Sequence, residues 1–421
     1  MTLANSVASQ PHTPRILWFN IPAQGHINPT LGVLRALSDA GAHVISVNTA
    51  DVSAQYTTHD LMFTPYPALE ALANVMERAS KGSIAGNALA LIEIGEGLLP
   101  WAIDLVRREQ PDLVVFDSLA HWGRLAAECC GVPAVGSVST FVITGETMRG
   151  APQAQMIGMA WGFARRMPAY WRIARRVKRR YGVQPPSLTG AVASFGETNI
   201  VYTARIFQPV QARIPETFLF VGASVEGRAE RGDFPFDALN GRPIVYISLG
   251  TIHNQKAAFY RQCFEVFANR PEQCVLSVGK ATDIAALGAH PANVLVRNSV
   301  PQLAILQRAA VFITHAGMNS VHEALWHGVP MICIPQQAEQ AIVARQVEKL
   351  GAGLAFPSAD GSIATETLRD ALDRVMGDRA RYAAASAHIG DALRAAGGPK
   401  AAAEHLLKAA ARLPRAVPHS P

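Results

Sequence analysis

Two clusters of polar residues stand where apolar, strand-like runs give way to helix-like ones, and their types point to proton transfer and to anion binding. The first centres on His26, in Ile21-Pro-Ala-Gln-Gly-His-Ile-Asn-Pro29, after the apolar run 15–20. Pro29 suits a first helical turn and Asn28 a cap, so the spacing predicts a helix over 30–40, stopped by Gly41, with His26 in the loop before it. The positive end of a helix dipole disfavours an imidazolium, which keeps such a ring neutral and able to take a proton at about pH 7. Asp117 closes a second apolar run, 112–116, ahead of a helical pattern over 122–130. Strand ends in an open parallel sheet converge on one crevice, so Asp117 can reach His26, fix its tautomer and stabilise the imidazolium formed on proton uptake. Capping the following helix is the alternative use of Asp117.

The second cluster lies in Val311-Phe-Ile-Thr-His-Ala-Gly-Met-Asn-Ser-Val-His-Glu-Ala-Leu-Trp326. It reads as a buried strand over 311–314, a turn holding Gly317 and Asn319, and a helix over 320–326, with Gly328 and Pro330 as stop signals. A helix N-terminus at a strand end presents free N–H groups and positive dipole to an anion, and Gly317 lets a phosphate come close. His315, Asn319 and Ser320 add side-chain donors. Glu323, one turn further on, can accept hydrogen bonds from a diol such as a ribose. The run 243–249 is another buried strand, ending at Gly250-Thr251, where the threonine hydroxyl can face a phosphate. A nucleoside diphosphate fits this set.

The elements that must position these residues alternate in type. Strand-like runs at 15–20, 112–116, about 133–136, 199–203 and 218–221 mark the first half. Runs at 243–249, 275–278, 294–296 and 311–314, with helical patterns over 303–309, 342–350, 365–376, 379–396 and 399–413, mark the second. Strands alternating with helices predict α/β architecture with parallel sheets. Residues 222–242 are rich in Gly, Ala, Pro and charge, as an interdomain linker would be. The expected layout is a disordered leader over 1–14, a first domain over 15–221, that linker, a second domain over 243–396, and a closing helix and tail over 397–421.

Composition narrows the classes. A chain of 421 residues, 49% hydrophobic, supports two domains with sizeable cores. No apolar run reaches the roughly 18 residues of a spanning helix, and the first residues lack the charged and apolar regions of a secretion signal, so a cytoplasmic protein is expected. The five cysteines are odd in number and form no C-x-x-C pair, which argues against a disulfide framework and a zinc site. Of the 38 Lys and Arg residues, nine fall in 147–196, which contains no Asp or Glu; the remaining 29 against 32 acidic residues leave −3 elsewhere. This local basicity, without a nucleic-acid-reading motif, does not predict nucleic-acid binding. Within it, Trp161, Ala164, Met167, Trp171, Ala174, Val177 and Tyr181 recur at helical spacing between basic residues. Such a helix can lie on an anionic membrane. The expectation is instead that this apolar stripe packs on its own domain and the basic face is solvated, so membrane contact is not favoured.

Two motifs carry a family resemblance. H-x-G-x-N-S-x-x-E from His315 to Glu323, followed by P-Q-x-x-x-Q from Pro335 to Gln340, resembles the donor-binding signature of UDP-dependent glycosyltransferases, including bacterial macrolide and plant natural-product enzymes. P-x-x-G-H-x-x-P from Pro22 to Pro29 resembles the motif that holds their catalytic base, and the likeness runs from about residue 15 to about residue 407. It implies the GT-B fold: two doubly wound Rossmann-like α/β domains facing a cleft, the first for the acceptor, the second for the nucleotide sugar, with the closing helix crossing back. Residues 66–99 would then line the acceptor pocket and residues 137–140 approach the donor sugar.

The implied reaction is inverting transfer of a sugar, most simply glucose from UDP-glucose, to a hydroxyl of an apolar macrolide, polyketide, flavonoid or terpenoid. His26 would act as general base with Asp117 as its partner. Thr251, Ser299, Val300, Gln302, Glu339 and Gln340 would join His315, Gly317, Asn319, Ser320 and Glu323 around the donor, with no metal and no other cofactor. Two positions depart from the pattern: Ser299 stands where an aromatic residue usually covers the base, and Glu339 where Asp usually meets the sugar. Other readings are a same-fold transferase using a lipid acceptor at a membrane and a non-catalytic nucleotide-sugar-binding subunit. The presence of both His26 and Asp117 argues against the latter, and the lack of G-x-S-x-G against a hydrolase.

Overall fold

The computed structural model describes residues 12–67, 83–143, 153–210, 214–225, 234–250, 254–358 and 361–411. The short, continuously apolar runs become strands covered on both faces, as parallel sheets require. The strands of the first unit are β1 (Arg15–Phe19), β2 (His43–Asn48), β3 (Met62–Pro65), β4 (Leu113–Asp117), β5 (Ala134–Val138), β6 (Thr198–Val201) and β7 (Phe218–Phe220), of which the edge strand β3 is partly exposed. Their order across the sheet is β3-β2-β1-β4-β5-β6-β7, with parallel pairing from β3 through β6. The second unit holds β8 (Ile244–Ser248), β9 (Gln273–Ser277), β10 (Val294–Arg297), β11 (Ala309–Thr314), β12 (Met331–Cys333) and β13 (Gly353–Ala355). They form a parallel sheet in the order β10-β9-β8-β11-β12-β13.

Both orders run outward in one direction from the first strand and then reverse, so each sheet has a switch point where strand ends open a crevice. In the first unit it lies between β1 and β4, and in the second between β8 and β11. The two sequence clusters fall at these two places. By contact, Tyr202–Arg213 and Phe220–Gly398 form the second unit, whereas Ile214–Leu219 and the chain from Pro399 group with the first.

Several elements differ from the sequence reading. The first helix is Gln24–Asp39, so His26 is its third residue, Asn28 is not its cap and Pro29 lies inside it. The apolar face that draws this helix down begins at Ile27, and the His26 and Ile27 N–H groups both bond to the Ala23 carbonyl. The second cluster's helix, Met318–Trp326, likewise starts early, which moves Asn319 from the turn into the first helical turn. Gln302–Leu306 is one short helix, because the expected helix over 303–309 yields its last residue to β11. Residues 68–82 lie outside the described residues, but 84–99 open a helix of 26 residues, Ile84–Glu109, capped by the Ser83 hydroxyl.

The basic stretch is not one helix. It breaks between Gln153–Ala164 and Met167–Tyr181, with Pro168 at the start of the second. Of the expected inward stripe Ala174 and Val177 are buried, with Tyr170 and Ile173 beside them, whereas Trp161 and Trp171 are 66% and 53% exposed. The five cysteines are free, with Cys263, Cys274 and Cys333 buried.

The helix Met318–Trp326 is backed by Arg379–Ala395 at very short range. A Cβ added to Gly390 would lie 2.2 Å from the Leu325 carbonyl oxygen, a backbone atom that cannot swing aside. Gly390→Ala is therefore expected to destabilise the second unit by about 1–3 kcal/mol, read from urea unfolding. An unchanged midpoint would show that the two helices can slide apart without cost.

Candidate functional site

In the first unit three neighbouring strand ends meet at His26. Asp117, the last residue of β4, is fully buried and places Oδ2 2.7 Å from His26 Nδ1. Its other oxygen accepts the Leu119 N–H at 2.9 Å, so the carboxylate also shapes the turn after its strand and cannot rotate freely. Ser139, just past β5, brings Oγ to 2.9 Å from the same ring nitrogen. A carboxylate only accepts hydrogen bonds, so Nδ1 carries the hydrogen, and in the neutral ring that leaves the lone pair to Nε2. The His26 side chain keeps 14% of its surface exposed. That arrangement suits a base: one nitrogen anchored, the ring partly open, and a negative partner ready for the imidazolium.

Asn20 ties the backbone that carries this ring to the sheet. Buried at the end of β1, it donates to Thr30 Oγ1 and to the His26 carbonyl at 3.3 and 3.4 Å, while its own carbonyl accepts the Tyr66 hydroxyl at 2.8 Å. Trp122 Nε1 in turn donates to Tyr66 at 3.1 Å. The sequence reading missed Tyr66 and Ser139 as supports because each is recruited from a distant segment, and Asn20, although only six residues from His26, because a polar residue closing an apolar run shows no partner by itself. Next to Trp122, His121 is wholly buried over Gly95, and burial, helped by the nearby Arg124 charge, pushes its pKa down to about 3.

In the second unit His315 follows β11 and lies between two glycines. A Cβ on Gly250 would come within 2.6 Å of the imidazole, and one on Gly317 within 2.5 Å. Between His315 and Gly317, Ala316 is held at φ 62°, a left-handed conformation that costs an alanine on the order of 1 kcal/mol. Its N–H is caught by Thr314 Oγ1 at 3.2 Å. The bend delivers the chain to Gly317, the cap of Met318–Trp326, so the start of that helix faces the end of β8. Asn319 and Ser320 stand in the first turn, where donors and dipole favour an anion.

Glu323 is buried, and its Oε2 accepts from Gln302 Nε2 at 2.6 Å. The same amide lies 3.3 Å from Ser320 Oγ, and its carbonyl accepts the Tyr246 hydroxyl at 2.9 Å. Tyr246, on β8, is stacked on Phe312 of β11 with centroids 4.8 Å apart. Gln302 thus links Ser320 and Glu323 to the sheet, a role not visible in the sequence. Beside it Val300 is buried and Ser299 exposed. Gln340 Oε1 accepts the Gln336 N–H at 2.8 Å, which fixes the loop after β12, and Glu339 is exposed in the first turn of Ala338–Lys349. Thr251 lies outside the described residues. On the opposite face of the helix His322 bonds Thr203 at 2.9 Å, and burial holds its pKa down to about 3.

Two Rossmann-like units, one presenting a carboxylate-anchored histidine and the other a glycine-flanked helix start with a buried glutamate, define a glycosyltransferase of the GT-B fold. Comparison with known proteins agrees. Residues 272–408 match the family described as Erythromycin biosynthesis protein CIII-like, C-terminal domain. The chain is 31% identical to the uncharacterized UDP-glucosyltransferase YojK of Bacillus subtilis (strain 168), over 94% of this chain and 97% of that protein. It is also 31% identical to the oleandomycin glycosyltransferase of Streptomyces antibioticus, over 86% and 84% of the two chains. The crystal structure of the glycotransferase of kitacinnamycin superposes with a TM-score of 0.80 at 30% identity, over 95% of this chain and 100% of that one. The chain belongs to the UDP-dependent glycosyltransferase family.

Because Gln302 positions Glu323, loosening Gln302 should be felt as nucleotide affinity. Tyr246→Phe leaves the Gln302 carbonyl without its donor and is expected to weaken UDP about 2- to 10-fold, while Gln302→Ala, which removes a bond to a charged group, should cost about 10- to 150-fold. Calorimetric titration of UDP checks both. Wild-type affinity in Gln302→Ala would show that Glu323 needs no such support.

Proposed function

We propose that the protein transfers a hexose, most simply glucose from UDP-glucose, to a hydroxyl of an apolar natural product of macrolide or polyketide type, inverting the anomeric carbon. The observation that carries this reading is the 2.7 Å contact between His26 Nδ1 and the buried Asp117. With Nδ1 so engaged, Nε2 takes the acceptor's O–H proton as that oxygen bonds to the anomeric carbon. The bond from that carbon to the diphosphate oxygen breaks, UDP leaves with the electron pair, and an α-linked donor gives a β-glycoside. Asp117 stabilises the imidazolium, and Ser139 helps to hold the ring. A base so placed contributes on the order of 100- to 10,000-fold. The acceptor class rests on the relatives, one of which is an oleandomycin glycosyltransferase.

On the donor side, the start of Met318–Trp326 with His315, Asn319 and Ser320 would meet the charge building on the diphosphate, and Glu323 the ribose hydroxyls. Thr251, Ser299, Val300, Glu339 and Gln340 complete the proposed donor set. Among the described residues, no group of three or more His, Cys, Asp or Glu side chains could hold a metal ion. Protein donors at this helix start are proposed to meet the diphosphate charge.

His26→Ala is expected to lower kcat by about 100- to 10,000-fold with UDP affinity nearly unchanged, and Asp117→Asn to lose less. Single-turnover transfer and UDP titration separate the two effects, and wild-type-like turnover in His26→Ala would remove this histidine from the base role. Transfer should also persist in excess EDTA. Loss of activity there, restored by magnesium or manganese, would assign the diphosphate charge to an ion.

A further inference from the structure

The three most exposed large apolar side chains among the described residues, Ile157, Trp161 and Trp171 at 64%, 66% and 53%, all fall between residues 157 and 171. Single exposed apolar residues are ordinary on a protein surface, but these three follow one another along one short stretch of chain. They sit on the helix pair Gln153–Ala164 and Met167–Tyr181, within the stretch 147–196 that carries nine Lys or Arg and no Asp or Glu. The second helix has spent its apolar face on the core through Tyr170, Ile173, Ala174 and Val177. Its roll is fixed by that packing and by Arg176, whose guanidinium grips both oxygens of Glu96 at 2.7 Å. Trp171, Arg172, Arg175 and Arg179 are therefore displayed outward.

We propose that this face docks on an anionic lipid bilayer. Indole rings have an apolar body and one N–H, the chemistry that settles at the boundary between headgroups and acyl chains. Arginine stems can lie along the same boundary while their heads meet lipid phosphates, and the stretch 147–196 itself holds no acidic residue; Glu96 on the neighbouring helix is taken up by Arg176. No helix among the described residues is long and apolar enough to cross a membrane, so the contact is interfacial. Docking would bring the enzyme to the phase in which an apolar acceptor dissolves.

The test uses the full-length protein and vesicles of phosphatidylcholine with about 30% phosphatidylserine at physiological salt. The protein should sediment with these vesicles, stay free of pure phosphatidylcholine vesicles, and come off at high salt. Brominated lipid should quench its tryptophan fluorescence. Trp161→Ala with Trp171→Ala should lose the quenching. Arg172→Glu, Arg175→Glu and Arg179→Glu together should weaken binding about 100-fold or more. Circular dichroism and vesicle-free sugar transfer, expected unchanged in both variants, show that they fold. The unmodified protein's quenching stands as a separate readout if either does not. Absence of binding, equal binding to neutral vesicles, or binding without quenching would each overturn the proposal. So would heparin retention without vesicle binding, which assigns the face to a soluble polyanion.

Discussion

A fully buried carboxylate at the end of a central strand is the constraint on which the first unit depends. Asp117 has lost its water, and a charge in that position is tolerable only if hydrogen bonds replace hydration. The Leu119 N–H and the His26 ring supply them. Meeting that demand requires β1 and β4 to be neighbours in register, with Phe19 beside Phe116, so that the residues following both strands arrive at one place. Close approach by the helix His121–Cys130 follows too: Gly123 lies so near Phe19 that a Cβ would come within 2.8 Å of its ring. Asn20 then fixes the first turn that carries His26 to the end of β1. The chemistry and the sheet order are one constraint seen at two scales.

The second unit meets an analogous demand with the opposite sign. Its switch point gathers N–H groups and side-chain donors, which favours an anion, and the Glu323 carboxylate is buried beside them. Gln302 keeps that carboxylate from being an uncompensated buried charge, and the amide can present only its NH₂ end to Glu323, so its carbonyl necessarily turns toward Tyr246. The stack of Tyr246 on Phe312 therefore extends the geometry around Glu323 into the β8–β11 pairing. Ala316 in a left-handed conformation and two glycines around His315 show where conformational ease was given up for position.

The two clusters and the alternation of strands and helices were legible because they are local: His26, Asp117, His315, Gly317, Ser320 and Glu323 announce themselves by type and spacing. The long apolar strands β1, β4, β8 and β11 were equally plain. What escaped depends on distant partners or on phase. The edge strand β3 is too short and too exposed to show as an apolar run, and β13 is only three residues long. Ser139, Asn20 and Gln302 are ordinary polar residues until folding sets them against His26, Thr30 and Glu323. Trp161 was placed inward by counting through a break at residues 165–166, and Trp171 stands at the edge of a stripe whose centre runs through Tyr170, Ile173 and Val177.

Histidines make the distinction sharper. His26, His121 and His322 share one intrinsic pKa and comparable sequence settings near helix starts, yet the fold assigns them different chemistry. Desolvation holds both His121, helped by the Arg124 charge, and His322 down to about 3, which favours the neutral ring: His121 fills space over Gly95 and His322 bonds Thr203. His26 retains some exposure and has a buried carboxylate 2.7 Å from its ring. A side chain can carry a proton through a reaction only where both of its states are affordable. That condition is set by strand order and burial, and of these three residues only His26 has a carboxylate against its ring.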